Sequence, residues 1–358
     1  MTDKQLEQYL LQSLNMALGS QMQGETSYTN SFDVKIQEEG FLFLPRLPAG
    51  YIIDDDLYQK IFLIANAALY PQYTLLKQNS AYFVPMDTED IHIQRGIFFP
   101  WKAGISKRLI IPDLEQFSDS QVGTVIPIME NLMIDYNKVN HIAISGSSGS
   151  GKSYGLVYFL TMLNPISDLV LIDPKFDTPS RWAKINDVKV IHPEMNRSKS
   201  DFVSEINEAL SQSLNIIYKR QAILYEKPEH EFNHLTIVID EVLAISEGVN
   251  KAIKEAFFSL LAQIALLGRA TKVHLLLVSQ RFDYNSIPVS VREQLNVLIQ
   301  IGNINSKTVQ FLFPDLSPEG IVIPIGKGTG LIKIIDNEHP YQVLPLLIPT
   351  YYTRKGIL

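Results

Sequence analysis

Four short segments carry residue types and spacings that handle phosphate. The strongest is Gly146-Ser147-Ser148-Gly149-Ser150-Gly151-Lys152-Ser153, which fits G-x-x-x-x-G-K-[ST]. Its glycines let the backbone curl until successive N–H groups face one anion. A helix pattern over Tyr154–Leu163 follows, and its N-terminus adds a positive dipole end. In such a loop Lys152 reaches the β- and γ-phosphates of a nucleotide, and the Ser153 hydroxyl ligates Mg²⁺. The second segment is Leu235-Thr236-Ile237-Val238-Ile239-Asp240-Glu241, an apolar strand ending in two carboxylates. Asp240 there holds the Mg²⁺ shell, and Glu241 orients and polarises an attacking water. An acid at that second position serves hydrolysis and is not needed for transfer to a bound acceptor.

The third segment is the run Leu275–Val278, which ends in Ser279-Gln280-Arg281. An amide at the tip of a buried strand beside a phosphate site senses the γ-phosphate. Arg269 lies 11 residues before Gln280, just past a long helix. From position alone it reads equally as a surface arginine or as a residue reaching a neighbouring subunit's nucleotide. The fourth is Asp173-Pro174-Lys175, where proline stops a strand at the sheet edge that binds ligands in open α/β folds. Two other matches read as decoys. His230-Glu231-Phe232-Asn233-His234 spells H-E-x-x-H, but Pro228 precedes it and a strand begins at Leu235, so the two histidines do not share a helix face. Gly326-x-Gly328-x-Gly330 reads as a hairpin turn between two strands, and Asn196-Arg197-Ser198 is a glycosylation acceptor without secretory context.

These segments need a scaffold, and the pattern from about residue 125 onward supplies one. Apolar runs at His141–Ser145, Asp168–Ile172, Val188–Ile191, Leu235–Ile239, Val273–Val278 and Val297–Ile301 read as parallel strands buried on both faces. Between them lie amphipathic helices. One covers about Asp201–Tyr225, with Ser200 as N-cap and a stripe of Val203, Ile206, Leu210, Leu214, Ile217 and Leu224. The other covers about Asn250–Leu267, with Ile253, Phe257, Leu260, Ile264 and Leu267. Strand–helix alternation means α/β with right-handed crossovers. The first 125 or so residues differ. Short runs at Asp33–Gln37, Phe41–Leu44, Ala81–Val84 and Arg108–Ile111, punctuated by prolines, read as a small β-rich or α+β unit. Residues 1–125 are therefore expected as a small domain for oligomerisation or docking, and 126–358 as the catalytic domain. Leu6, Leu10, Leu14 and Leu18 recur at helical spacing and read as a docking or core helix rather than a membrane-surface one.

The chain has 358 residues, no cysteine, 46% apolar residues and net charge −7. That is length for one large or two medium domains and enough apolar side chain to exclude wholesale disorder. Absence of cysteine excludes disulfide scaffolds, thiolate metal sites and thiol nucleophiles. The acidic balance argues against a generally basic surface for nucleic acid, but not against a local one. No run approaches the ~18 apolar residues of a spanning helix, and no signal peptide is read at the N-terminus, so a cytoplasmic location is expected.

The motifs together resemble those of FtsK/SpoIIIE-type DNA translocases. The resemblance rests on His141-Ile142-Ala143-Ile144-Ser145 leading into the phosphate loop, on Ile172-Asp173-Pro174-Lys175, on the Walker B segment Val238-Ile239-Asp240-Glu241, and on Gly268-Arg269-Ala270-Thr271-Lys272-Val273-His274 followed by Val278-Ser279-Gln280-Arg281. It covers roughly residues 125–335 and extends to conjugative coupling proteins and HerA-like ATPases. It implies a RecA-like P-loop motor that hydrolyses ATP, assembles as a hexameric ring and passes double-stranded DNA through its channel. It also makes Arg269 the finger acting on a neighbour's ATP and Gln280 the sensor. Lys251, Lys254, Arg281 and Arg292 are candidates for the channel's basic surface. Cell-division translocases also carry membrane helices and a C-terminal winged helix. The short apolar tail Tyr341–Tyr352 is too small for the latter, which directs the expectation to conjugative transfer or maintenance of a mobile element, with a relaxase or membrane channel as partner. The competing readings are a small-molecule phosphotransferase and a nucleotide-dependent scaffold or replication helper.

Overall fold

The computed structural model describes residues 1–19, 31–49, 52–78, 81–283, 286–336 and 342–354. The chain divides into two compact units. The first holds Met1–Ser106 with Asp315–Val322 and Tyr341–Leu344; the second holds Lys107–Pro314, Ile323–Pro340 and Pro345–Leu358. Residues 107–125 thus group with the second unit.

The first unit is α+β. Strands Phe32–Gln37, Gly40–Pro45, Arg95–Ala103 and Tyr73–Leu75 form an antiparallel sheet in that order, and Phe83–Pro85 also pairs with the long strand. Helices Asp3–Gly19 and Asp55–Leu69 pack with it. The leucine stripe of the first helix is a core stripe, because Leu6, Leu10, Leu14 and Leu18 are all buried. Phe99 stacks on both Phe41 and Tyr58, with ring centroids 4.8 Å apart in each pair. The apolar run from Ile61 is the second helix, capped by the Asp54 side chain accepting from Leu57 N–H.

The second unit carries the α/β sheet. Seven neighbouring strands of that sheet run in the order Val190–Ile191, Ser167–Ile172, His234–Ile239, Val273–Ser279, Ile142–Gly146, Val297–Ile301, Thr329–Ile334. All neighbours are parallel except the last pair. This is the RecA-like arrangement expected from the sequence. The strand ending at Ser279 is inserted between the phosphate-loop strand and the acid-bearing strand. In register Ser145 lies beside Ser279, and Ile239 beside Leu277. The loop, Glu241 and Gln280 therefore leave the sheet at neighbouring carboxyl ends, where ligands bind in such folds.

The helices match their patterns, with shifts. The loop helix runs Lys152–Leu163 and buries nearly every side chain, among them Leu156, Tyr158, Phe159 and Leu163. The long helix runs Lys199–Glu226, and its cap is Ser198 rather than Ser200. Ser198 Oγ accepts from Asp201 N–H while the Asp201 carboxylate accepts from Ser198 N–H, a reciprocal pair that only this spacing allows. Its stripe is fully buried as far as Ile217, and Leu224 is only half-buried. The third helix, Lys251–Leu267, is capped by Asn250. It buries Leu261 rather than Leu260, the one-residue drift that a 3.6-residue period imposes after Phe257. No described helix is long and apolar enough to cross a membrane.

Candidate active site

Each side chain of the site is placed by a strand end. Ile142–Gly146 ends in the loop, and the loop closes on itself through glycines. Gly149 and Gly151 have φ of 75° and 107°, the left-handed region that suits glycine. A Cβ on Gly146 would lie 2.5 Å from Ile301 O and 2.7 Å from Ser150 Oγ, so no larger residue fits there. Lys152, buried at the start of its helix, donates to the carbonyls of Gly146 at 2.5 Å and Ser147 at 3.0 Å. Burial holds its ammonium below the ordinary lysine value, with Glu241 opposing. Ser147, Ser148, Gly149 and Ser153 are exposed. Ser148, Gly149, Gly151, Lys152 and Ser153 line one end of a cavity of about 710 Å³, together with Lys175 and Gln280. Asp177, Arg108, Tyr154, Lys327, Gly328, Ile348 and Thr350 also line it.

Asp240 and Glu241 sit at the tip of the acid strand. Asp240 is 3% exposed, and burial pushes its carboxyl up to about 6 against the pull of Lys175. Asp173 and Glu241 add to the rise. The Asp240 carboxylate and the exposed Ser153 hydroxyl on the phosphate loop are hard oxygen donors of the kind that suits Mg²⁺. Glu241 takes the left-handed conformation at φ 54°, a strained backbone of the kind that collects at functional sites. Its Oε1 accepts from Gln280 N at 3.1 Å and Ser279 Oγ at 3.4 Å. Its Oε2 accepts from Lys175 Nζ at 2.8 Å. Burial works against the charge of Glu241, but the hydrogen bond and charge of Lys175 hold it below the ordinary carboxylate range.

Lys175, third residue of the Asp-Pro-Lys segment, gains its role only in the fold. Its place comes from Asp173, which is fully buried and ties the turn together. Asp173 Oδ1 accepts from Lys175 N at 3.0 Å and Phe176 N at 3.1 Å. Its Oδ2 accepts from Asp177 N at 3.0 Å and Ser180 Oγ at 2.6 Å.

The other expected residues are more scattered. Gln280 is exposed and lines the cavity, while its backbone, not its amide, holds Glu241. Arg269 is exposed in the turn after the third helix and does not line the cavity. Lys251 is exposed and pairs with Glu255 at 3.7 Å, and Lys254 lies over the Phe258 ring. Arg281 pairs with Asp283 at 2.9 Å, and Arg292 donates to Phe282 O at 3.4 Å. His230 and Asn233 lie in a loop and His234 in a strand, so the H-E-x-x-H match has no helix to sit on. Gly326–Gly330 is not a tight hairpin turn. The neighbouring strand ends at Ile301, and residues 302–328 intervene before the next begins at Thr329.

No family model matches the chain. Among curated proteins it is 25% identical over 207 residues to the FtsK domain-containing protein YdcQ of Bacillus subtilis, covering 54% of this chain and 40% of that one. It is 29% identical over 219 residues to the DNA translocase FtsK of Helicobacter pylori, covering 54% of this chain and 24% of that one. The chain thus spans less than half the length of these relatives. Among solved structures, the pCW3 conjugation coupling protein TcpA, in a monomer form with ATPγS, superposes with a TM-score of 0.53. The identity is 19%, over 96% of this chain and 95% of that one, a likeness of fold. Over just over half of its length, then, this chain is similar in sequence to FtsK-type DNA translocases, and the resemblance read from its motifs stands.

Proposed function

We propose that the protein is an ATP-hydrolysing motor that moves double-stranded DNA. The observation that carries this reading is that Lys152, Lys175 and Gln280 line one cavity at the carboxyl end of the sheet, and that Lys175 Nζ and Gln280 N both bond Glu241, the neighbour of Asp240. The loop amides and Lys152 cradle the β- and γ-phosphates. Ser153 and Asp240 hold Mg²⁺, which supplies positive charge to the phosphate oxygens when bound. Glu241, kept ionised by Lys175, takes the proton of a water aligned with the γ-phosphate. Gln280 connects that event to the next strand through its backbone bond to Glu241.

The DNA substrate is supported by the sequence likeness to proteins named DNA translocase, and a conjugative setting by the fold likeness to a coupling protein. Arg269 is exposed, as a finger acting on a neighbour's nucleotide in a hexameric ring must be. Lys251 lies on an exposed helix start, where its solvent-facing ion pair with Glu255 leaves it able to turn to a DNA backbone. The test is ATP hydrolysis by the purified protein with and without duplex DNA. Faster turnover with DNA, abolished by Lys152→Ala, supports the reading. Turnover indifferent to DNA at every protein concentration, or intact in Lys152→Ala, refutes it.

A further inference from the structure

The phosphate loop occupies only one end of the 710 Å³ cavity. The other end is built from three pieces of chain that are remote in sequence. Arg108 joins them. Its Nη1 donates to Ile348 O at 2.5 Å, and its Nη2 donates to Lys327 O at 2.8 Å. The glycine turn in turn lies on the phosphate loop, since Gly328 N donates to Ser150 O at 3.2 Å. Ile348 N donates to Gly328 O at 2.8 Å and closes the arrangement. Gly328 cannot be another residue without strain. Its φ is 69°, and a Cβ there would meet Ile348 Cβ at 3.3 Å and Arg108 Nη1 at 3.5 Å. The glycine thus lets the turn lie close against both Ile348 and the guanidinium. Tyr154 is fixed beside it by a ring stack on Tyr351 at 4.1 Å and by hydrogen bonds in both directions.

A glycine turn, a planar cation that bonds two backbone carbonyls and an isoleucine give this part of the cavity wall both an apolar side chain and a flat cationic group. Burial lowers the Arg108 guanidinium from its ordinary value, so its charge is short of solvent on this wall. An aromatic ring answers that need by stacking on the guanidinium face. We propose that this end takes the purine base of a bound nucleoside triphosphate, with the base against Ile348 and stacked on Arg108. The inference rests on the nucleotide reading of the phosphate loop and adds to it the determinant of base affinity.

The test compares Mg²⁺-ATP with Mg²⁺-tripolyphosphate, which has the phosphates and no base, by calorimetric titration of the full chain. Arg108→Ala is expected to weaken ATP binding by about tenfold while leaving tripolyphosphate binding as in the wild type. Arg108→Lys, which keeps the charge but not the flat face, should also weaken ATP binding selectively. Equal loss for both ligands, or loss for neither, overturns the proposal. Lys152→Ala separates this from the underlying reading, since it should weaken both ligands. If it weakens neither, the phosphate-loop assignment itself fails. Photolysis of bound 8-azido-ATP in the wild type needs no variant that must fold. Label on the peptides containing Lys327 or Ile348–Thr350 supports the proposal, and label found only elsewhere overturns it.

Discussion

The Lys175 ammonium sits 2.8 Å from Glu241 Oε2 and 3.8 Å from Asp240 Oδ2. One cation thus serves two carboxylates with different tasks. It bonds the one proposed to activate water and only approaches the one proposed to hold Mg²⁺. Glu241 is accordingly held low and Asp240 remains high, a separation set by burial and by which oxygen the lysine touches.

The separation predicts a pH response. Asp240 titrates at about 6 in the ligand-free protein, so its charge is lost as pH falls through that value. Hydrolysis should therefore decline on the acid side of pH 6. Lys175 favours the charged form, so Lys175→Ala should move both the Asp240 midpoint and the acid limb of the rate to higher pH. Carbon NMR of the carboxyl groups and a pH–rate profile measure the two shifts. A midpoint that stays or falls in the variant contradicts the assignment of Lys175.

Glu241→Gln keeps the size of the side chain and removes the base. Hydrolysis should fall by about 10²–10⁴-fold, the usual worth of a positioned general base, while ATP still binds. Single-turnover hydrolysis beside equilibrium binding separates the two effects. A variant that hydrolyses at the wild-type rate assigns the base elsewhere.

Gly146 tests the loop's close packing. Its missing Cβ leaves room for Ile301 O and Ser150 Oγ, and both are closer than a methyl group tolerates. Gly146→Ala should cost about 1–3 kcal/mol of stability by overpacking and weaken nucleotide binding. Denaturant unfolding with and without ATP reads both. Wild-type stability in the variant would show that the loop yields more readily than its contacts imply.

Three buried histidines at the opposite edge of the sheet predict acid sensitivity of the fold. His141 donates from Nε2 to Ala265 O at 3.0 Å and accepts Leu275 N–H at Nδ1 at 2.9 Å, so only the neutral ring satisfies both bonds. His234 and His274 share a hydrogen bond at 2.8 Å between ring nitrogens. Burial, chiefly, lowers His141 and His234 to about 4 and His274 to about 3, from 6.5. In the unfolded chain these rings take up protons below about 6.5, and in the folded one they do not. Stability should therefore fall as pH drops from 6.5 toward 4. Asp240 acts in the reverse direction below 6, one group against three. Urea midpoints at pH 7 and pH 5 test this above the range where ordinary carboxylates titrate. A midpoint that rises at pH 5 contradicts it.

The sequence made the phosphate end of the site legible because its parts are local. A loop of eight residues and a strand tip of two acids each announce a function within one segment. The parallel strands were legible for a similar reason, as continuous apolar runs bounded by helices. What stayed hidden depends on chain segments meeting. Lys175 was visible as part of Asp-Pro-Lys, but its bond to Glu241 needs the sheet order that brings residues 66 positions apart together. Arg108 carries no motif, and its partners at 327 and 348 are more than 200 positions away. The glycine turn looked like a hairpin because nothing near Gly326 in sequence names the phosphate loop it packs on. The cap of the long helix was displaced by two residues because Ser198 and Ser200 are alike until Asp201 selects between them.

ATP hydrolysis at Lys152, Asp240 and Glu241 is proposed to move duplex DNA. The most direct measurement is displacement of a triplex-forming strand from linear duplex by the protein with ATP and Mg²⁺. Displacement is expected with the wild-type chain and not with Glu241→Gln, which binds ATP without turning it over. Steady ATP hydrolysis with no displacement, under conditions where DNA is bound, would contradict the account.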